Sequence, residues 1–418
     1  MNILYVCQRV PYPPNKGEKL RSFHQIEYLL EQGHNVDVFM PEHTEMDKTY
    51  AAQLGDFGVR AQYSEKLGVP YLNYAFALLK GRSLSEAKFY RPTLQATFDQ
   101  VLTKNKYDAL VLCASSLARY VFASKHFDAL RRHTRLFMDF MDVDSDKWQQ
   151  YAQQSAWPLR WVYQREAKKV AQLEKTVVQA FTQTFLISDK EVDVLQAQQP
   201  GLPAHKIHTL GNGIDTKIFT PKKSMSKQCN HYLFVGVMDY KPNVDAMLWF
   251  CEYVWPSIIK HNTQAELTIA GMSPTSKIIE LGKQPSIHVT GLVDDIMPYF
   301  HAADVFVAPF QIARGVQNKI LQAMACGLPV ITSDLGLEGI AATNGVEVMV
   351  ANTAGEYKAV IGELNDPEVY ARLSRNSVQK IENEYSWDSK LQLLGELLAI
   401  DNRFDKGTSD SMQERDCA

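Results

Sequence analysis

The sequence predicts an α/β protein built of two Rossmann-like, doubly wound parallel-sheet domains. Three observations carry this expectation. The chain has 418 residues, more than one ordinary core accommodates, so two or three domains are expected. Short runs rich in β-branched and aromatic residues alternate with longer stretches of helical period, the rhythm of βαβ units. That rhythm stops at a polar, aperiodic stretch near residue 220 and then begins again.

In the first half, strands are expected at Asn2–Cys7, Val36–Phe39, Val59–Tyr63, Ala109–Cys113, Leu136–Asp139, Thr184–Ile187 and Ile207–Leu210. Between them lie helical stretches, among them Lys19–Gln32, Pro92–Lys104 and a long one from about Asp146 to Phe181. Such alternation gives a parallel sheet covered on both faces. Residues 1–221 form the first domain, and Thr220–Asn230, polar and containing Pro221, reads as the linker. Residues 222–400 form the second domain, with strands in HYLFVGV, AELTIAG, SIHVTG, DVFVAPF, LPVITS and VEVMVA. Its helices begin near Asn243, Pro274, Asp294, Gln317 and Gly355, and its last helix is placed to pack back on the first domain. Residues 401–418 are polar and aperiodic, the composition of a disordered tail. Two such domains leave a cleft between them, and in doubly wound sheets ligands bind outside the carboxyl ends of the strands.

Charge and cysteine usage exclude several classes. A net charge of −3 gives no reason to expect nucleic acid. Residues 1–221 carry 27 Lys/Arg and 23 Asp/Glu, the remainder 17 and 24, so the two halves differ in sign. The six cysteines show no C-x-x-C and no metal-ligand spacing, which suits a reducing compartment and no metal site. The first residues lack the basic and long apolar regions of a signal peptide, and no apolar run approaches a membrane span. A cytoplasmic location is expected.

The richest segment for chemistry is DVFVAPFQIARGVQNKILQAMACGLPVITSDLGLEG, from Asp304 to Gly339. A strand ends near Pro309–Phe310, a loop carries Arg314 and Gly315, and a helix opens near Val316–Gln317. The first amides of a helix lack intrahelical partners and sit at the positive end of its dipole, so Gly315, Val316, Gln317 and Asn318 form a candidate phosphate cradle. Arg314 and Lys319 add positive charge, and Lys319 shares a helix face with Gln322. An ordinary solvated βα loop would read similarly. Four further candidates are Gly17, Lys19 and Arg21, in the loop and helix opening after the first strand, and Asp142, in FMDFMDVDSDKW after another. Ser145 and Asp146 in the latter also read as caps for the long helix. The stretch YLNYAFALLKGRSLSEAKFYRP mixes aromatics with Lys80, Arg82, Lys88 and Arg91, and suits either an anionic membrane surface or a core helix with solvated cations. The tryptophans and other aromatics are assigned to cores.

These motifs resemble the family-4 retaining glycosyltransferases of the GT-B fold. The resemblance lies in G-V-x-N-K-x-L-x-A-M-A-C-G-x-P-V-I, in LFVGVMDYKPNVDAMLWF, in HVTGLVDDIMPYFHAADVFVAPF, in LGNGIDTKIFTP and in the start PYPPNKGEKLRSFHQIEYLLEQGHNVDVF. More narrowly, PYPP-x-K-G, DVDSDKW and IARG-x-Q-N-K together look like the PEP-CTERM (exosortase)-associated exopolysaccharide glycosyltransferases. The resemblance implies a nucleotide-sugar donor bound by the second domain, at Gly236, Asp239, Gly315–Asn318 and Gln322; the catalytic role is assigned to Arg314 and Lys319 from their charge beside that cradle. It implies a glycan or polyprenyl-linked acceptor at Gly17, Lys19, Arg21 and Asp142 in the first, hexose transfer without metal or other cofactor, and peripheral membrane contact.

The chain departs from the family at telling places. The family's paired Glu positions are Arg314 and Gln322 here, and its Arg and Lys after the first glycine of the second domain are Val237 and Pro242. Arg314 and Lys319 are expected to replace the lost cations. A degenerate member that binds nucleotide or a partner without turnover is the rival reading. An epimerase would need an acid/base set in the cleft that cannot be placed.

Overall fold

The computed structural model describes residues 1–15, 17–67, 74, 77–221, 229–313 and 315–400. The chain forms two compact units, one of Met1–Asn212 with the chain from Leu391 onward, the other of Gly213–Lys390. The division at Asn212/Gly213 falls upstream of the polar stretch around Pro221, and residues 222–228 of that stretch lie outside the described residues.

In the first unit seven strands form one sheet: β1 Asn2–Val6, β2 Asn35–Glu42, β3 Ala61–Lys66, β4 Ala109–Cys113, β5 Arg135–Met141, β6 Gln183–Leu186 and β7 Ile207–Thr209. Their order is β3-β2-β1-β4-β5-β6-β7, and every pair is parallel. β4 is buried along its whole length, as a strand covered on both faces must be. Helices of eight residues or more are α1 Gly17–Glu31, α2 Pro92–Lys104, α3 Asp144–Gln154, α4 Leu159–Ala180 and α5 Asp189–Gln198. Phe39 of β2, Phe98 of α2 and Tyr120 cluster at ring separations of 5.3–5.9 Å, Phe39 edge-on to the other two. Each such fully buried ring contributes on the order of 2 kcal/mol.

The expected long helix over 146–181 is instead two. α3 ends at Gln154 and α4 begins after Pro158, because proline disfavours the helical conformation in the residue before it. The cap differs too: Val143 stands at the N-cap position, and Ser145 turns inward, donating through its hydroxyl (2.6 Å) and its amide (3.1 Å) to Glu174 of α4.

The second unit has six strands, β8 His231–Val235, β9 Glu266–Ala270, β10 Ile287–Gly291, β11 Val305–Ala308, β12 Val330–Thr332 and β13 Met349–Val350, in the parallel order β10-β9-β8-β11-β12-β13. Its longer helices are α6 Lys241–Tyr253, α7 Asn318–Ala325, α8 Ala354–Leu364 and α9 Pro367–Lys380. Its core includes Phe234, Phe250, Trp255, Phe306 and Tyr357. A last helix, α10 Trp387–Ala399, carries Leu391, Leu394 and Leu398, all fully buried. Within the first unit Gly395 meets α1 so closely that a Cβ there would stand 2.6 Å from the Tyr28 hydroxyl.

In each sheet the connection direction reverses once, between β1 and β4 and between β8 and β11. Outside the carboxyl ends of those neighbouring strands is where an open α/β sheet offers a ligand crevice.

Candidate functional site

At the reversal in the second unit, β8 runs out at Val235 and α7 opens after β11. Gly236 is fitted to this place from two sides. A Cβ on it would lie 2.7 Å from Asn243 Nδ2 and 3.0 Å from Lys319 Nζ, and a Cβ on Gly271 would lie 1.8 Å from the Gly236 carbonyl. Glycines at both strand ends therefore let Asn243 and Lys319 reach the sheet edge.

Lys319 crosses from the first turn of α7. Its ammonium donates to Asn243 Oδ1 at 2.7 Å and stands 5.1 Å from the ring centres of both Phe234 and Phe310. Asn243 is buried, and its own amide donates to the Val237 carbonyl at 2.9 Å. Among the described residues no carboxylate pairs with Lys319. Burial between the rings pushes its ammonium down to about 8, since desolvation penalises the charged form.

Around this lysine opens a cleft of about 640 Å³, lined by Gly236, Asp239, Asn243, Asn318, Lys319 and Gln322 among others. The structure thus brings together Gly236, Asp239, Asn318, Lys319 and Gln322. Gly315 has φ +69°, with nothing within 4 Å of where a Cβ would stand, so its glycine serves backbone shape rather than space. Val316 is exposed and packs near Gly339. Gln317 occupies the N-cap position of α7 without capping it; its side-chain amide donates back to the Gly315 carbonyl at 3.1 Å. Arg314 lies outside the described residues.

Sequence reasoning uses Asn243 only as a helix start and misses its hold on Lys319. The signal available was its place in the helix that follows the glycine ending β8, in KPNVDA. Lys241, two residues earlier, is paired with Asp245 on the surface of α6.

The candidates in the first unit separate. Arg21 does not face a cleft; it is 1% exposed, and its guanidinium grips Asp139 at 2.6 and 3.0 Å and Asn212 at 3.0 Å. Gln25 donates to the same carboxylate at 2.6 Å and accepts from the Tyr5 hydroxyl at 2.7 Å. Arg21, expected at a helix opening that faces the cleft, lies instead on the buried face of α1 four residues from Gln25, drawn inward by the fully buried Asp139 of β5. Lys19 remains near the surface, its ammonium 3.5 Å from the Tyr12 carbonyl and 5.9 Å from the Tyr50 ring. Gly17 opens α1, exposed, with nothing within 4 Å of a Cβ. Asp142, at the carboxyl end of β5, accepts from Lys147 at 2.6 Å. Nearby Asp144 is raised from the ordinary carboxylate range by burial.

Residues 229–366, which hold the cleft, match the family described as "Glycosyl transferases group 1". Over 363 residues the chain is 25% identical to an uncharacterized 44.6 kDa protein in the cps region of Klebsiella pneumoniae, covering 84% of this chain and 87% of that one. It is 26% identical to glycogen synthase of Mycobacterium tuberculosis, over 55% of this chain and 56% of that one. Among solved structures, sucrose-phosphate synthase of Thermosynechococcus elongatus is similar with a TM-score of 0.57 at 16% identity, covering 95% and 98% of the two chains. HepE of Anabaena in complex with UDP gives a TM-score of 0.59 at 14% identity, covering 95% and 99%. The fold is that of the GT-B glycosyltransferases.

Proposed function

We propose that this chain, whose second unit matches the group 1 glycosyltransferases, transfers a hexose from a nucleotide sugar to a glycan or lipid-linked acceptor, with retention of configuration, in polysaccharide synthesis. The observation that carries the reading is Lys319, a half-buried ammonium with no paired carboxylate among the described residues, standing at the uncapped opening of α7 beside a glycine-walled cleft. An anion is what such a place favours. The diphosphate of the donor is assigned to the α7 amides and Lys319, with Arg314 alongside by sequence. Asp239 and Gln322 are assigned to the rest of the nucleotide sugar. Gln322 can accept from and donate to ribose hydroxyls through its amide, without the charge assistance of a carboxylate.

In the transfer, the bond from the anomeric carbon to the phosphate oxygen breaks as the acceptor oxygen bonds on the same face. The acceptor proton passes to the departing phosphate. The leaving diphosphate gains charge, and preorganised amides and an ammonium lower the barrier to its departure. Metal is not needed for this assignment. The cps-region relative and the UDP complex of HepE support a polysaccharide role and a uridine donor. A PEP-CTERM exopolysaccharide setting, a cytoplasmic site of action and peripheral membrane contact belong to the same proposal, as do the roles of Gly17, Lys19 and Asp142 toward the acceptor and the division of labour between the two units. Gln322 in place of a carboxylate favours a second reading, binding without turnover.

The test is a thermal-shift screen against UDP, GDP, ADP and their hexose conjugates, followed by product analysis with the stabilising donor and candidate acceptors. Saturation at about a hundredfold over Kd adds about 2.7 kcal/mol of apparent stability. Stabilisation by one nucleotide, lost in Lys319→Ala, supports the donor site. Stabilisation with no product under any acceptor moves the assignment to the binding protein, and indifference to every nucleotide refutes both.

A further inference from the structure

The aromatic residues of the α3–α4 hairpin contradict the expectation that the tryptophans fill cores. Trp249 packs on the second unit's core and Trp255 and Trp387 are buried, but Trp157 is 84% exposed and Trp161 58%. Leu159 between them is also exposed, and residues 156–161 form one continuous exposed turn. Trp157 stands just before the N-cap Pro158 and Trp161 lies in the first turn of α4, so both belong to the same exposed tip. Exposing two indole rings and a leucine in one turn costs solvation free energy that a soluble surface ordinarily avoids.

The charge beside them has one sign. Arg160 lies within the turn, and Lys168 and Lys169 follow along α4. The loop carrying Lys80 and Arg82 runs against the same helix: Arg165 donates to the Arg82 carbonyl at 2.8 Å, and a Cβ on Gly81 would stand 3.8 Å from Lys169 Nζ. Leu79 in that loop is 83% exposed. Asp144 and Asp146 stand in the first turn of α3, at its far end from the tip. Glu166 is buried, accepting from the Leu84 and Ser85 amides at 2.8 and 2.7 Å, and Glu174 is buried on Ser145.

The hairpin also has a direction. α3 leaves the carboxyl edge of the sheet after β5, and α4 ends where β6 begins at the amino edge. The two pack antiparallel, Trp148 against Tyr163 and Ser145 against Glu174. At 1.5 Å per residue α4 is about 33 Å long and α3 about 16 Å, so the turn stands roughly 16 Å beyond the carboxyl edge.

We infer that the tip of the α3–α4 hairpin, Trp157, Leu159 and Trp161 with Arg160, Lys168 and Lys169, docks on the surface of an anionic lipid bilayer. Indole rings settle at the headgroup level, and basic side chains beside them add attraction to acidic lipid. The inference rests on the proposed peripheral membrane contact, to which it gives a surface in the first unit, and is independent of the donor site.

The test is co-sedimentation of the full chain with vesicles of phosphatidylglycerol and phosphatidylcholine in equal parts, beside vesicles of phosphatidylcholine alone. The chain is expected to bind the anionic vesicles, less at high salt, with a blue shift of tryptophan fluorescence. Trp157→Ser/Trp161→Ser is expected to lower the partition by about tenfold or more and remove the shift, with its melting temperature unchanged. Arg160→Glu/Lys168→Glu is expected to weaken binding to anionic vesicles only. No binding to the anionic vesicles, or equal binding by the tryptophan variant, overturns the inference. So does a concentration-dependent mass, lost in the same variant, without vesicle binding; the tip would then join two copies of the chain.

Discussion

The depressed ammonium of Lys319 makes nucleotide affinity a function of pH. With its protonation centred at about 8, Lys319 is mostly charged at pH 7 and mostly neutral at pH 9. The charged ammonium holds a phosphate far more strongly than the neutral amine does, so binding carries a proton with it, and affinity should fall above pH 8 by up to about tenfold per pH unit until the bound lysine itself loses its proton. The range from 7.5 to 9.5 isolates this group, because the terminal phosphate of a nucleoside diphosphate is ionised throughout it. Lys319→Met removes a charge-assisted bond of about 1.5–3 kcal/mol, so it should weaken binding by roughly 10–150-fold at pH 7.5 and leave affinity flat with pH. Isothermal titration in two buffers of different ionisation enthalpy checks both the slope and the proton uptake. A flat profile in the parent chain, or the same slope in the methionine variant, refutes the assignment of Lys319 to the diphosphate. The unliganded chain should respond in the opposite sense. Its lysine holds a proton less tightly folded than unfolded, so the contribution of Lys319 to stability rises with pH between about 8 and the ordinary lysine range.

Three further outcomes are expected. Arg21→Ala leaves the Asp139 carboxylate buried without its cation, and urea unfolding should show a loss of about 3–5 kcal/mol. Glu174, pushed up to about 8 chiefly by burial, binds its proton more tightly folded than unfolded; stability should therefore fall as pH rises from about 5 to 8, by on the order of 3 kcal/mol, and melting curves of Glu174→Gln should lack that fall. Gly236→Ala puts a methyl within 2.7 Å of the Asn243 amide and 3.0 Å of the Lys319 ammonium, both ends of side chains, so titration should show nucleotide binding weakened about tenfold or more, beside only a modest drop in melting temperature.

Much of this fold is legible in one sequence, because parallel strands buried on both faces are nearly continuous apolar runs. ALVLC and ELTIA announce β4 and β9 whatever surrounds them. The break between α3 and α4 was legible too, at Pro158, but the apolar period carries across it and hides the break. The opening of α7 could be found from glycine and charge alone. What could not be found was which way polar side chains turn. Arg21 and Lys19 are two residues apart on one helix start, and only the position of Asp139, 118 residues away, decides that Arg21 is interior. Asn243 owes its role to a lysine 76 residues later. The exposure of Trp157 and Trp161 was invisible for the opposite reason: a tryptophan spaced along a helix reads as core until the neighbours that would cover it prove to lie elsewhere.

The first unit is built from both ends of the described chain, with Leu391, Leu394 and Leu398 sealing its surface against α1 and with Arg135 donating to the Ile400 carbonyl at 3.1 Å. On the ribosome, where residues emerge from the amino end, this has an order. The seven strands of the first unit are complete by Thr209, yet that unit stays open until the segment from Leu391 has been made. The second unit, a single stretch from Gly213 to Lys390, has all its parts before then and can close first. A truncated product ending near residue 390 would therefore hold a finished second unit and a first unit with an uncovered apolar groove, the species that chaperones and proteases are built to recognise.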